Sequence, residues 1–399
     1  MIPEINIGMV GHIDHGKTSL LKSLTGKWAS THSEEMKRGI TIRLGYSSMI
    51  IYKCPKGELT TYETCPVHMV KTKPLRAISF VDAPGHETLM ATMLSGASVM
   101  DAAILVIAAN EPCPQPQTRE HLAALDIMGI NHIIIVQNKV DLVSDERARE
   151  SYNEIKSFVK GSVAENAPII PMSALHNANI EVLLEAIQEF FPTPERNLNK
   201  SPIMLVSRSF DVNKPGISPK ELVGGVIGGI LKQGKLKTGD EIYLLPGIRV
   251  MNKFTPVKTK IVSLFYGNEK VNEAVPGGNF GASTLLDPSL AKNDALSGNI
   301  ACVDKSKINV FEEKMTLKPE LMKRVVGTSK ELNLGPLRMN EPLMINAFTA
   351  KTVGTIIQIK GDEVVVKLKL PVATVKGSKV AISRFVSNKW RLVGSAVVV

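Results

Sequence analysis

From residue 4 to about residue 192, short aliphatic and β-branched runs alternate with longer segments whose apolar positions recur at helical spacing. That alternation predicts a mostly parallel sheet with helices on its faces. The expected core strands are 5–10, 77–81, 102–107, 132–136 and 169–171, and helices are expected over 17–24, 87–95, 118–127, 146–160 and 180–190. Two prolines and a polar stretch, Pro192-Thr193-Pro194-Glu195-Arg196-Asn197, then break the pattern and mark a linker. Beyond it the helical period nearly vanishes. Short Val/Ile/Leu runs separated by Gly, Pro, Asn and Asp continue to Val399, the pattern of antiparallel barrels. The expected organisation is an α/β domain over 1–197 with an insertion at 52–76, then all-β barrels over 198–307 and 308–399.

Composition narrows the chemistry. Aromatic residues are only 5% of the 399, so stacking of bases on aromatic platforms is not expected to dominate. The formal net charge of +10 favours a polyanionic partner such as RNA over an acidic small molecule, although a solvated basic surface has the same composition. Four scattered cysteines do not make a disulfide framework and fit a reducing, cytoplasmic compartment. The chain enters its first strand without a basic leader, and no apolar run approaches ~18 residues, so neither export nor a membrane partner is expected.

The segment Gly11-His12-Ile13-Asp14-His15-Gly16-Lys17-Thr18 fits G-x-x-x-x-G-K-[ST] between an expected strand and an expected helix. In such a loop, glycines let backbone N–H groups wrap phosphates. The lysine neutralises the β and γ phosphates, and the threonine offers a hydroxyl to Mg²⁺. Asp82-Ala83-Pro84-Gly85-His86 follows the next strand. Asp82 is the candidate for holding Mg²⁺ through water, and the Gly85 N–H for sensing the γ-phosphate. Asn138-Lys139-Val140-Asp141 selects the base, because a carboxylate at Asp141 accepts from the N1–H and 2-amino group of guanine, which adenine lacks. Ser173-Ala174-Leu175 follows a further strand, with the Ala174 N–H expected to face the guanine O6. The expected nucleotide set is Gly11, Asp14, His15, Gly16, Lys17, Thr18, Ser19, Gly85, Asn138, Lys139, Asp141, Ser173, Ala174 and Leu175, binding GTP or GDP.

Together with Arg38-Gly39-Ile40-Thr41-Ile42, these segments resemble the translational GTPases, a P-loop GTPase domain followed by two β-barrels as in elongation factor Tu. The resemblance implies that Thr41 closes over Mg²⁺ beside Thr18 and Asp82, with Asp14 a further candidate ligand. It implies that His86 orients the attacking water and that Ile13 and Ile40 gate its access. The implied activity is slow GTP hydrolysis to GDP and phosphate.

Within that family, Arg43-Leu44-Gly45-Tyr46, the run from His86 to Ala97, the run from Ala109 to Thr118, and the run from Ala164 to Pro171 resemble the gamma-subunit family of archaeal and eukaryotic translation initiation factor two. The short N-terminus resembles its archaeal form. The resemblance implies a heterotrimer with alpha and beta subunits that brings methionyl initiator tRNA to the small ribosomal subunit, with hydrolysis timing release. It also puts Tyr46 near the aminoacylated tRNA end, a role that half-buried packing would equally explain. The basic segment around Arg384, Lys389 and Arg391 is read as a solvated barrel edge rather than an RNA contact. The competing functional reading is an elongation-factor-like GTPase with a non-tRNA role, in a cofactor or sulfate-activation pathway.

The insertion carries Cys54-Pro55-Lys56-Gly57 and Cys65-Pro66-Val67-His68, where that family often has two C-x-x-C knuckles for zinc. Gly57 cannot ligate and His68 stands in the last position. Cys54, Cys65 and His68 are candidate Zn²⁺ ligands needing a fourth from elsewhere, and a degenerate, metal-free knuckle is the preferred expectation.

Overall fold

The computed structural model describes residues 1–26, 44–86, 89–214, 216–251, 253–322, 335–386 and 388–399. Two compact units are present, one running from Met1 to Pro194 and the other beginning at Glu195.

Among the described residues, the first unit has seven strands: β1 (Ile5–Gly11), β2 (Gly45–Lys53), β3 (Leu59–Thr60), β4 (Lys73–Asp82), β5 (Ala102–Ala108), β6 (Ile133–Asn138) and β7 (Ile169–Pro171). Their order is β3-β2-β4-β1-β5-β6-β7. From β4 to β7 all pairings are parallel, and β2 and β3 add an antiparallel edge. β1, β5 and β6 are buried along their whole length, which is why they read as continuous apolar runs. The strand pattern does not single out β2, because only some of its residues are buried.

Among the described residues, five helices cover this sheet: α1 (Lys17–Thr25), α2 (Met90–Ala97), α3 (Pro116–Met128), α4 (Asp145–Val159) and α5 (Ile180–Phe190). Of the helix expected over 87–95, α2 is described from Met90, and residues 87 and 88 lie outside the described residues. α3 has proline at its first turn and ends on Gly129 in the left-handed region, and Ser144 caps α4 by accepting the Arg147 N–H. Leu20, Leu21 and Leu24 of α1 join Ile7, Met9, Phe80 and Val136 in one core. Each fully buried aliphatic or Phe side chain there contributes about 1.5–3 kcal/mol of transfer free energy. That packing fixes the strand ends from which the loops emerge.

The second unit holds two antiparallel barrels of six strands. In the first, Glu241–Val250 pairs with both Ile300–Cys302 and Lys253–Tyr266, which closes the ring. The second closes through pairing of Lys314–Leu321 with Lys389–Val398. The α/β domain followed by two barrels is the architecture the sequence predicts. In the basic hairpin at the C-terminal end, Arg384 Nε lies 2.5 Å from Glu341 Oε1, and its Nη1 donates to the Gly335 carbonyl at 2.7 Å. Arg391 is buried, and Phe385 meets Trp390 edge-on with centroids 5.3 Å apart.

Candidate functional site

A parallel sheet delivers its functional loops at the carboxyl ends of its strands. β1 ends at Gly11 and α1 begins at Lys17, so residues 12–16 form a tight strand-to-helix turn in which Asp14 (φ 59°) and Gly16 (φ 91°) adopt left-handed backbone. Lys17 folds back over this turn. Its Nζ donates to the carbonyls of Gly11 (2.9 Å) and His12 (2.5 Å). Burial pushes the ammonium pKa down to about 8, with Asp82 and then Asp14 opposing the shift. A buried cation aimed along a loop of backbone N–H groups can receive a polyanion.

Asp82 closes β4 with no exposed surface, and Thr18 Oγ1 donates to its Oδ2 at 2.8 Å. A hydroxyl and a carboxylate so joined are hard oxygen donors suited to Mg²⁺. Gly85 passes so close to the loop that a Cβ there would lie 2.6 Å from Lys17 Nζ and 2.9 Å from the Ile13 nitrogen. Only a residue without a side chain allows that approach. His86 follows and is partly exposed, as is Ile13, while Asp14 and Ser19 are exposed at the rim. Ile40 and Thr41 lie outside the described residues.

On the other side of the loop, Asn138 ends β6 and is buried. Its Nδ2 donates to the His15 carbonyl at 2.9 Å, and its Oδ1 accepts the Ala174 N–H at 3.0 Å. One amide therefore ties the phosphate-side loop to the Ser173-Ala174-Leu175 loop. The Ala174 N–H, which the sequence reading aims at a guanine oxygen, is used in that tie. Lys139 has φ 62° and opens the short turn Val140–Leu142 that carries Asp141. Asp141 Oδ2 lies 3.7 Å from His176 Nε2, Ser173 Oγ accepts the His176 N–H, and Leu175 is 76% exposed beside them.

His15 has no exposed surface. Its Nδ1 faces the Val106 carbonyl at 3.2 Å and its Nε2 lies 3.4 Å from Glu111 Oε2. Burial lowers its pKa to about 3, so the ring is neutral; the hydrogen bond to the Val106 carbonyl opposes the shift without outweighing the desolvation. His15 therefore supports the loop as a neutral packing group.

Tyr46 is half-buried on β2, opposite Val81 and one step from the Gly45–Asp82 pair. The insertion lies at the far end of the same ladder, where Lys53 pairs with Lys73. At about 3.3 Å per residue, the ten residues of β4 separate it from Asp82 by roughly 30 Å.

In that insertion Cys54, Glu58, Cys65 and His68 bring four donor atoms within 4.8 Å of one another. His68 Nδ1 lies 3.5 Å from Cys54 Sγ, 3.6 Å from Cys65 Sγ and 3.3 Å from Glu58 Oε2. Tetrahedral zinc, with bonds of about 2.3 Å to sulfur and about 2.0–2.2 Å to nitrogen and oxygen, has edges of roughly 3.6 Å (S···N) and roughly 3.4 Å (N···O). The three edges around the histidine match those figures, so the donor set fits zinc. Glu58 escapes a search for paired C-x-x-C segments because it lies four residues after Cys54, outside either segment. His121 and His176 also escape sequence reading, since their partners are 110 and 35 residues away.

Comparison with known proteins agrees with this architecture. Residues 3–193 match the family model described as elongation factor Tu GTP binding domain, residues 224–302 match elongation factor Tu domain 2, and residues 313–398 match initiation factor eIF2 gamma, C terminal. Full-length relatives named translation initiation factor 2 subunit gamma include one from Methanococcus maripaludis, 57% identical over 99% of this chain and 98% of that protein. Another, from Methanocaldococcus jannaschii, is 58% identical over 98% and 96% of the two chains, and one from Pyrococcus horikoshii is 54% identical over 99% and 97%. Among solved structures, the translation elongation factor SelB from Methanococcus maripaludis in complex with the GTP analogue GppNHp superposes with a TM-score of 0.73 at 25% identity, covering 99% of this chain and 78% of that one.

Proposed function

The chain belongs to the family of translation initiation factor 2 gamma subunits, and from that membership we propose that it carries methionyl initiator tRNA to the small ribosomal subunit in its GTP form, hydrolysis timing release. It is a GTPase of the initiation machinery. In this reading it works in the cytoplasm, within a heterotrimer completed by alpha and beta subunits. Among the described residues, no helix is long and apolar enough to cross a membrane.

The observation that carries the site assignment is the convergence of Lys17, Thr18, Asp82 and Gly85 on one turn, with Asn138 bracing it from behind. On this reading Lys17 leaves its two carbonyls for the β and γ phosphates. Thr18 and Asp82, with Asp14 and Thr41, would hold Mg²⁺, which supplies neutralisation of phosphate charge when bound. Gly85 senses the γ-phosphate, Asp141 accepts from guanine, and Lys139 and Leu175 flank the base. His86 orients the attacking water, gated by Ile13 and Ile40. Tyr46 contacts the aminoacylated tRNA end.

For the insertion we favour a closed structural Zn²⁺ site made by Cys54, Glu58, Cys65 and His68. The match of its edges to a zinc tetrahedron supports this over a metal-free knuckle. Its distance from Asp82 gives it no part in hydrolysis.

The carrier function is tested by filter binding of charged initiator tRNA to the reconstituted heterotrimer, with GTP and with GDP. Tighter retention with GTP is expected. Equal retention in both states would sink the carrier reading in favour of a GTPase without RNA cargo.

A further inference from the structure

His121 lies in α3, away from every sequence motif, and is fully buried. Its Nδ1 accepts the N–H of Gly11 at 2.8 Å. Gly11 is the first residue of the phosphate loop. It has φ 136°, and a Cβ on it would lie 2.3 Å from the Val106 carbonyl oxygen. The position therefore excludes a side chain, and its conformation is set by what holds its two polar groups. His121 holds the N–H, and Lys17 Nζ holds the carbonyl at 2.9 Å.

The histidine is an expensive way to fill this space. Burial lowers its pKa to about 3, so the ring is neutral. With Nδ1 accepting, the proton sits on Nε2. Among the described residues that buried nitrogen has no hydrogen-bond partner. An unsatisfied buried donor costs more than a single hydrogen bond returns. A leucine would remove the unpaired Nε2 donor but leave the buried Gly11 N–H without its acceptor, so what the ring contributes here is that single bond to the loop.

We propose that His121 is a positioning residue of the phosphate loop, which fixes the Gly11 peptide from helix α3 and so keeps the loop in its phosphate-binding shape. It touches no nucleotide itself. Through it, the seating of α3 against β1 sets how long a nucleotide is retained. The inference rests on reading Gly11 to Thr18 as the phosphate loop.

The test is stopped-flow release of a fluorescent mant-GDP from full-length wild type, His121→Asn, His121→Gln and His121→Leu, with urea midpoints measured alongside. An asparagine Oδ1 takes the place of Nδ1; the longer glutamine places its amide near Nε2. Release from His121→Asn within about threefold of wild type, and release from His121→Gln and His121→Leu at least about tenfold faster, is expected, tenfold being the loss of about 1.4 kcal/mol. His121→Leu trades one unpaired buried donor, Nε2, for another, the Gly11 N–H, and should leave the urea midpoint close to that of wild type. Wild-type release from His121→Leu, or release from His121→Asn as fast as from His121→Gln, overturns the proposal. If the leucine variant does not fold, the Asn and Gln pair decides it alone. A wild type that binds no mant-GDP overturns the phosphate-loop reading, and this inference with it.

Discussion

Thr18 Oγ1 donates to Asp82 Oδ2 at 2.8 Å across 64 residues of sequence, joining the first turn of α1 to the end of β4. The two oxygens are thus already side by side where Mg²⁺ would be held. Thr18→Ala and Asp82→Asn should each lower Mg²⁺-dependent GTP turnover by roughly a hundredfold or more while leaving the fold intact. Phosphate release measured across a Mg²⁺ titration checks this. Turnover at the wild-type level at any Mg²⁺ concentration would refute the assignment.

Asn138 makes two buried bonds with opposite chemistry, donating to the His15 carbonyl and accepting from the Ala174 N–H. Asn138→Ala should destabilise the first unit by about 1–3 kcal/mol, since both partners are left unsatisfied. Asn138→Asp should do more harm, because its carboxylate faces a carbonyl oxygen. Urea unfolding and GTP affinity, measured on both variants, give the ranking; aspartate equal to or better than alanine would contradict it.

In the proposed function Asp141 reads the guanine through its acceptor chemistry. Asp141→Asn should weaken GTP binding by roughly a hundredfold and improve binding of xanthosine triphosphate, whose base offers a carbonyl where guanine has an amine. Competition of the two nucleotides against labelled GDP reads both changes at once. Unchanged GTP affinity would remove Asp141 from the base pocket.

Elemental analysis of the purified chain is expected to return one zinc per molecule. Glu58→Gln should loosen the metal, and Cys65→Ser should release it, with a chelator stripping the variants faster than wild type. GTP turnover should be unaffected, because the site lies at the opposite end of the β2–β4 ladder from Asp82. Metal-free wild-type protein would restore the degenerate knuckle.

Stability should fall on mild acidification. His15 and His121 are buried and neutral with pKa values lowered to about 3, against 6.5 for a free side chain. Below about pH 6.5 the unfolded chain takes up protons that the folded chain refuses. The stabilisation is therefore complete above that value and is lost progressively as pH drops toward about 3. Two such rings lower stability by on the order of 2–3 kcal/mol between about pH 7 and about pH 5.5. Urea midpoints at the two pH values test this, and His121→Asn should roughly halve the contribution. A midpoint that does not fall would refute it.

The phosphate loop was legible from letters alone because it is one continuous turn: eight adjacent residues supply the lysine, the hydroxyl and the glycine conformations. The alternation of buried strands and helices was legible for the same local reason, each element's apolar spacing recording which of its sides faces a core. Both barrels could be expected, but their closure depends on pairings between strands far apart in sequence.

What tertiary structure alone decided are the contacts that no spacing rule encodes. Glu58 completes a tetrad because the turn between β2 and β3 puts its carboxylate beside His68. Gly11 meets His121 because β1 and α3 pack together, and Asn138 reaches both His15 and Ala174 because β6 ends between their loops. A backbone cradle for phosphate is a property of contiguous chain, readable residue by residue. The side chains that hold that cradle in shape come from elements brought together by the burial of apolar surface, so their identity appears only once the sheet and its helices are assembled.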